Sequence, residues 1–250
     1  MKIEKLKNTT AAPIIGIYGE PGVGKTTLAA QFEGAIWMAI ERGLPAGVIV
    51  DAIDGLVTFS NVIEALRELC KDPAGYTTLV IDCLDALEPM LIDHLCGQRN
   101  WKDIEAPSFG KGWVALDDVW RSFLKGIVTL RDRHSVTIVL IAHSTIERVD
   151  DPRAPSFSTF VPKLHKRGRH LVVDACDLVG FLGHELRIFT DDQGFKERVR
   201  ATAGPQRFLF TEGNPAFTAK NRYGMPPKLP IPLDFDIGEL TKYWTGENRD

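Results

Sequence analysis

The densest chemical signal in this 250-residue sequence is Gly19-Glu20-Pro21-Gly22-Val23-Gly24-Lys25-Thr26, in which glycines flank a short spacer and a lysine and a hydroxyl follow at once. The spacing GxxxxGK[ST] lets glycine turns aim successive backbone N–H groups at one point, where an anion with several oxygens would sit at a helix N-terminus. Lys25 would reach the β- and γ-phosphates of ATP, and Thr26 would give its hydroxyl to Mg²⁺, with Thr27 beside it in the first helical turn. Leu79-Val80-Ile81-Asp82 is the companion pattern, an apolar strand whose terminal carboxylate can hold the magnesium ion through water in the crevice above a sheet. A strand-end aspartate can equally cap the helix that follows it.

Hydrolysis of a bound triphosphate needs a group that orients water. Glu41, at the end of the apolar run Ala35 to Ile40, is the leading candidate and Asp85 its rival; a solvated turn at Glu41-Arg42-Gly43 is the structural alternative. His143 closes the apolar run Val136 to Ala142, where it is either a sensor of the γ-phosphate or a satisfied strand-end histidine.

From Val161 to His170 the chain reads VPKLHKRGRH, basic and without an acid, in a protein of net charge −3. Lys163, His165, Lys166, Arg167 and Arg169 could face a polyanion. With Phe157 and Phe160 just upstream, they supply the cations and stacking faces that single-stranded DNA requires. A solvated basic loop is the alternative. Lys220-Asn221-Arg222 places two cations on one side of an extended segment, as a surface pair or as groups reaching the γ-phosphate of a neighbouring copy.

These residues need a frame. Ile14 to Tyr18 predicts a strand that feeds the glycine turn, and Gly24 to Phe32 a helix. Further helices are expected from about Ser60 to Cys70, with Thr58 or Ser60 as N-cap, from Leu84 to Leu95, and from about Trp113 to Arg133 after a polar loop from Gly97 to Gly112. The intervening strands, Ala35 to Ile40, Leu79 to Ile81 and Val136 to Ala142, are apolar throughout, the mark of strands covered on both faces. The expected fold class is therefore α/β: a P-loop NTPase with a mainly parallel central sheet flanked by helices. Beyond Ala142 the prolines at 152, 155 and 162 predict a long loop from Ser144 to about Arg169. After it come β-rich segments with no obvious helix, joined as antiparallel hairpins at Asp191-Asp192-Gln193-Gly194 and Gly204-Pro205. The proline-rich tail from Pro226 argues against a helical lid. One domain over residues 1–250 is expected, its core about 12–227 and the tail 226–250.

Composition sets outer limits. A hydrophobic content of 44% is ample for a large core, and the acidic balance confines any nucleic-acid contact to a local patch. The four cysteines show neither CxxC pairs nor zinc spacing, and the N-terminus lacks the apolar stretch of a signal peptide. A cytoplasmic protein without a membrane partner is expected.

The set as a whole, comprising the phosphate-loop motif, Ile40-Glu41, VIDCLDALE, FGKGW, IAHS and AKNRYGMP, resembles the phage and bacterial AAA-family ATP-binding proteins with a RecA/RadA-like core. That group includes core-only phage recombinases that promote single-strand annealing. The resemblance spans about residues 12 to 227. It implies that the His143 strand lies between the strands that lead to Gly19 and Asp82, and that ATP is bound between protomers of a homo-oligomeric ring or filament. Glu41 would be the catalytic glutamate, and Lys220 and Arg222 the trans-acting pair. The loops 97–112 and 144–170 would face single-stranded DNA, with a single-stranded-DNA-binding protein as a further partner. In a cytoplasm this would be that of a bacterial host. His143 stands where RecA-type cores carry glutamine. Outside this reading lie a regulatory or packaging-type assembly ATPase that never touches DNA, and a small-molecule kinase.

Overall fold

The computed structural model describes residues 12–41, 43–153, 155–193 and 196–245, with backbone alone from 186 to 203. Its centre is a sheet ordered β10-β8-β7-β1-β5-β4-β2-β3. The strands are β1 (Ile14–Gly19), β2 (Ala35–Ala39), β3 (Asp51–Ala52), β4 (Thr78–Asp82), β5 (Thr137–Val149), β6 (Phe157–Pro162), β7 (Leu178–Gln193), β8 (Lys196–Phe210), β9 (Lys220–Asn221) and β10 (Lys228–Pro230). From β7 through β3 every neighbour pair is parallel, whereas β8 and β10 add antiparallel strands at the other edge.

The side chains of the parallel strands divide alternately between two cores, as a pleated strand buried on both faces must. Ile14 and Tyr18 of β1, Leu79 and Ile81 of β4, and Ile138 and Leu140 of β5 face one core. There they meet α2 (Phe59–Lys71), α3 (Leu84–Arg99), α4 (Lys111–His134) and α5 (Lys166–Ala175). Ile15, Ile17, Trp37, Val80, Val139 and Ile141 face the other, against α1 (Lys25–Ala29), Ile231, Phe235 and α6 (Gly238–Thr245). Thr58 caps α2 in a reciprocal box with Asn61, as its position at the helix start suggested.

Trp37 is fully buried in the second core. Trp37→Ala is expected to cost about 3–5 kcal/mol, the usual range for deleting a large buried aromatic. A guanidinium unfolding midpoint equal to that of the unmodified chain would contradict this packing.

Three expectations are corrected. The segment 144–169 is not a loop: β5 runs on out of the sheet and pairs antiparallel with β6 from Ser144↔Pro162 to Val149↔Phe157, and α5 follows. Pro152 and Pro155 fall in the connection between the two strands, and Pro162 ends its strand, so none interrupts the ladder. Gly204-Pro205 is no turn either, because it lies inside β8, which forms a single long hairpin with β7 and has an irregularity between His184 and Leu186. The turn predicted at 191–194 ends on Gly194, outside the described residues. Finally, the tail does contain a helix, α6. Its prolines occupy only the preceding extended stretch, and Leu240 and Trp244 anchor the helix in the core.

Candidate active site

The register of the parallel strands gathers the chemistry at one edge. Gly19 at the end of β1 lies opposite His143 of β5, and Asp82 at the end of β4 lies opposite both Ile141 of β5 and Ala39 of β2. Beyond these strand ends is a cavity of about 360 Å³, lined by Gly22, Gly24, Lys25, Thr26, Thr27, Glu41, Gly43, Pro45, Asp82 and His143. The sequence-predicted phosphate cradle, magnesium-side carboxylate, water-orienting glutamate and strand-end histidine therefore share one wall-to-wall site. The β5 strand lies between β1 and β4.

Glycine is required at three places in the turn, one being Gly22, whose φ is 76°. A side chain at Gly19 would strike the Leu182 carbonyl oxygen at 2.2 Å, and Gly24 has φ 96° with the Arg207 guanidinium 2.1 Å from where a Cβ would be. Gly24 is the N-cap of α1 and offers no side-chain cap, so the first-turn N–H groups of Lys25, Thr26 and Thr27 are free of one. Lys25 Nζ donates to the Gly19 carbonyl (3.0 Å) and the Glu20 carbonyl (2.9 Å). Burial pulls the Lys25 pKa down, while Asp82, Asp85, Cys83 and Glu41 act to raise it. The amine is thus held over the loop by contacts that a phosphate would replace.

Thr26 donates to Asp82 Oδ2 at 2.8 Å. A hydroxyl and a carboxylate so close are the hard oxygen donors Mg²⁺ prefers, and the pair would hold the ion directly or through water. Burial raises the Asp82 pKa, opposed by the bond from Thr26.

Glu41 is placed by its own backbone: its N–H and that of Ile40 donate to the Asp82 carbonyl at 3.1 and 2.7 Å. Its side chain is exposed to the cavity. Asp85 is not among the residues lining the cavity, and each of its oxygens bonds to His143. The His143 N–H donates to Oδ1 at 2.9 Å, and the ring Nδ1 lies 2.9 Å from Oδ2. Burial raises the Asp85 pKa, yet these bonds outweigh it and hold the carboxyl below its usual range. The Lys163 N–H donates to the His143 carbonyl at 2.8 Å, and the Lys163 ammonium lies 4.0 Å from Asp85. The histidine at the phosphate site is thereby tied to the first residue of the basic segment.

That segment divides. Lys163 and Lys166 are exposed. His165 stacks on Trp113 with ring centroids 3.8 Å apart, and Arg167 pairs with Asp117 at 2.5 Å. Arg169 is corrected as a DNA-facing cation: only 8% exposed, it is paired with Glu147 on the β5–β6 hairpin. Phe160 is likewise taken, stacked on Phe181 at 5.2 Å. In the other loop Phe109 is 96% exposed.

Lys220 and Arg222 do not reach this cavity in their own chain. Strand β9, which holds Lys220 and ends just before Arg222, pairs with Leu178 and Val179, beside Ile15 and Gly16 of β1, so at about 3.3 Å per residue the two cations sit roughly 10 Å or more behind Gly19. Lys220 Nζ donates to the Val173 and Asp174 carbonyls, and Arg222 pairs with Asp177 at 3.0 Å.

Two site residues escaped the sequence reading. Arg207 donates to the Val23 carbonyl and to the Pro232 carbonyl, both at 3.1 Å, clamping the phosphate loop to the tail. No local pattern could reveal it, since Val23 lies 184 positions away. Cys83 follows Asp82 and donates its thiol to Glu41 Oε2 at 3.1 Å. Its adjacency to the strand-end aspartate was the available signal.

Comparison with known proteins gives two findings. The profile of the family described as AAA domain matches residues 11–223. The SPbeta prophage-derived uncharacterized protein YorG of Bacillus subtilis (strain 168) is 27% identical over 174 residues, which cover 68% of this chain and 50% of that protein. The chain thus spans about half the length of this curated relative. Among the described residues no helix is long and apolar enough to cross a membrane.

Proposed function

Because this chain belongs to the AAA domain family of nucleotide-binding ATPases, of phage and bacterial type, we propose that it is a RecA-like ATPase that binds single-stranded DNA and promotes annealing or recombination. ATP is held between copies of the chain. Lys25 and the loop amides bind the phosphates, and Thr26 and Asp82 hold Mg²⁺, which supplies charge neutralisation when bound. Glu41 accepts a proton from the attacking water and orients it. Lys220 and Arg222 of a neighbouring copy offset the charge that develops on the phosphoryl group.

One observation carries the DNA reading. The Trp113–His165 stack joins the end of the first loop, where Phe109 stands free, to the segment bearing the exposed cations Lys163 and Lys166. An exposed aromatic and exposed cations are what stacking on bases and pairing with phosphates require. The segment also hangs on His143, so nucleotide at the cavity and polymer at the loops would be felt by the same few residues.

The double variant Lys163→Ala/Lys166→Ala should bind a fluorescent single-stranded oligonucleotide more weakly. If each lysine neutralises a phosphate, the slope of log affinity against log salt should fall by about 1.4, at about 0.7 per contact. Unchanged affinity and slope at matched salt would contradict the DNA reading and favour an assembly ATPase that does not bind nucleic acid.

A further inference from the structure

Beside the oxygen pair Thr26 and Asp82 lies a second donor set of different character. Glu41, Cys83 and His143 each offer one ligand atom, and these atoms all lie within 4.8 Å of one another. The Cys83 sulfur is 3.1 Å from Glu41 Oε2 and 4.0 Å from His143 Nδ1. The cysteine is fully buried, the histidine partly so, and the glutamate opens to the cavity. The three residues lie in or within two positions after three adjacent parallel strands, β2, β4 and β5. Their spacing is therefore fixed by the sheet. The Nδ1 that faces Cys83 is also the nitrogen 2.9 Å from Asp85 Oδ2, so an ion bound through Nδ1 replaces the Asp85 contact, whereas one bound through Nε2 keeps it as an outer-shell bond.

One sulfur, one nitrogen and one oxygen, with a fourth direction open to the cavity, match the ligand types and number of an open zinc site. They do not match magnesium, which selects oxygen donors and has its own pair next door. We propose that Glu41, Cys83 and His143 form a binding site for Zn²⁺ or a similarly thiophilic divalent ion, separate from the Mg²⁺ position. Coordination releases the thiol proton to solvent and fastens the Glu41 carboxylate to the ion. An occupied site would leave no free carboxylate to orient water, so the ion acts as an inhibitor of turnover. This last consequence rests on the role of Glu41 proposed above; the binding itself does not.

The test uses the full chain without nucleotide. Co²⁺ is added as a spectroscopic substitute, and Zn²⁺ affinity is read by competition with a chromophoric chelator. One Co²⁺ per chain should bind with a thiolate-to-cobalt charge-transfer band in the near ultraviolet, and Zn²⁺ should displace it. Cys83→Ser should remove the band and weaken Zn²⁺ binding by about 10- to 100-fold or more, an effect at least as large as losing an outer-shell partner. His143→Gln should weaken it similarly, and serves if the serine variant does not fold. No charge-transfer band in the unmodified chain, or a band that survives Cys83→Ser, would overturn the site. Zn²⁺ should also suppress ATP turnover in excess Mg²⁺, reversibly on chelation. A chain that binds Co²⁺ through Cys83 yet never hydrolyses ATP would sink the hydrolytic reading and leave the metal site standing.

Discussion

Lys25→Ala is expected to abolish ATP turnover and to weaken nucleotide binding severely. The fold buries the lysine against the phosphate loop, and both its contacts there are carbonyl oxygens that a phosphate would replace. Losing a charge-assisted bond costs about 1.5–3 kcal/mol, or about 10- to 100-fold in affinity at 1.4 kcal/mol per decade. Turnover should fall further, by about 10²- to 10³-fold, because the amine also meets charge that grows in the transition state. The variant should remain folded, since alanine removes a buried amine whose desolvation already counts against it. Far-ultraviolet circular dichroism matching the unmodified chain, alongside lost binding of a fluorescent ATP analogue, is the expected result. Full ATPase activity in a folded Lys25→Ala chain would overturn the phosphate-site assignment.

Lys220→Ala/Arg222→Ala is expected to behave differently. The pair sits well behind the phosphate loop of its own chain, so nucleotide affinity of the isolated chain should change little. Its loss should appear in kcat, by about 10³-fold or more, the range seen when a trans-acting arginine is removed. The cations would have to leave their present partners, the Val173 and Asp174 carbonyls and Asp177, to reach a neighbour's phosphate. Arg222 is the freer of the two, with a side chain 57% exposed. A steady-state ATPase assay paired with a nucleotide-binding titration separates the outcomes: equal losses in both would mean that the pair acts within its own chain or only structurally.

What the sequence revealed depended on how local the chemistry is. The phosphate loop was legible because its chemistry is made by consecutive backbone groups whose turns demand glycine at fixed places. Asp82 and His143 were legible because each follows a strand apolar on both faces, and a parallel sheet brings such ends to a common edge. The β5–β6 hairpin and α5 were not, because prolines and a dense run of charge imitate a solvated loop. Those charges are compensated only across the fold, Arg167 by Asp117 and Arg169 by Glu147. The same distance effect hid Arg207 and took Phe160 out of the surface, since its stacking partner Phe181 belongs to another strand. Sequence pattern located the groups that line the cavity, whereas tertiary partners decided which basic residues remain exposed.

The central claim, a nucleotide site completed by an adjacent copy, is tested most directly by mixing two inactive chains. One carries Lys25→Ala and keeps Lys220 and Arg222; the other carries Lys220→Ala/Arg222→Ala and keeps Lys25. In a mixed assembly, the second chain's phosphate loop meets intact cations from the first, and ATPase activity should reappear well above the sum of the separate rates. A mixture that co-assembles, as judged by particle mass, yet hydrolyses ATP no faster than that sum would contradict the account.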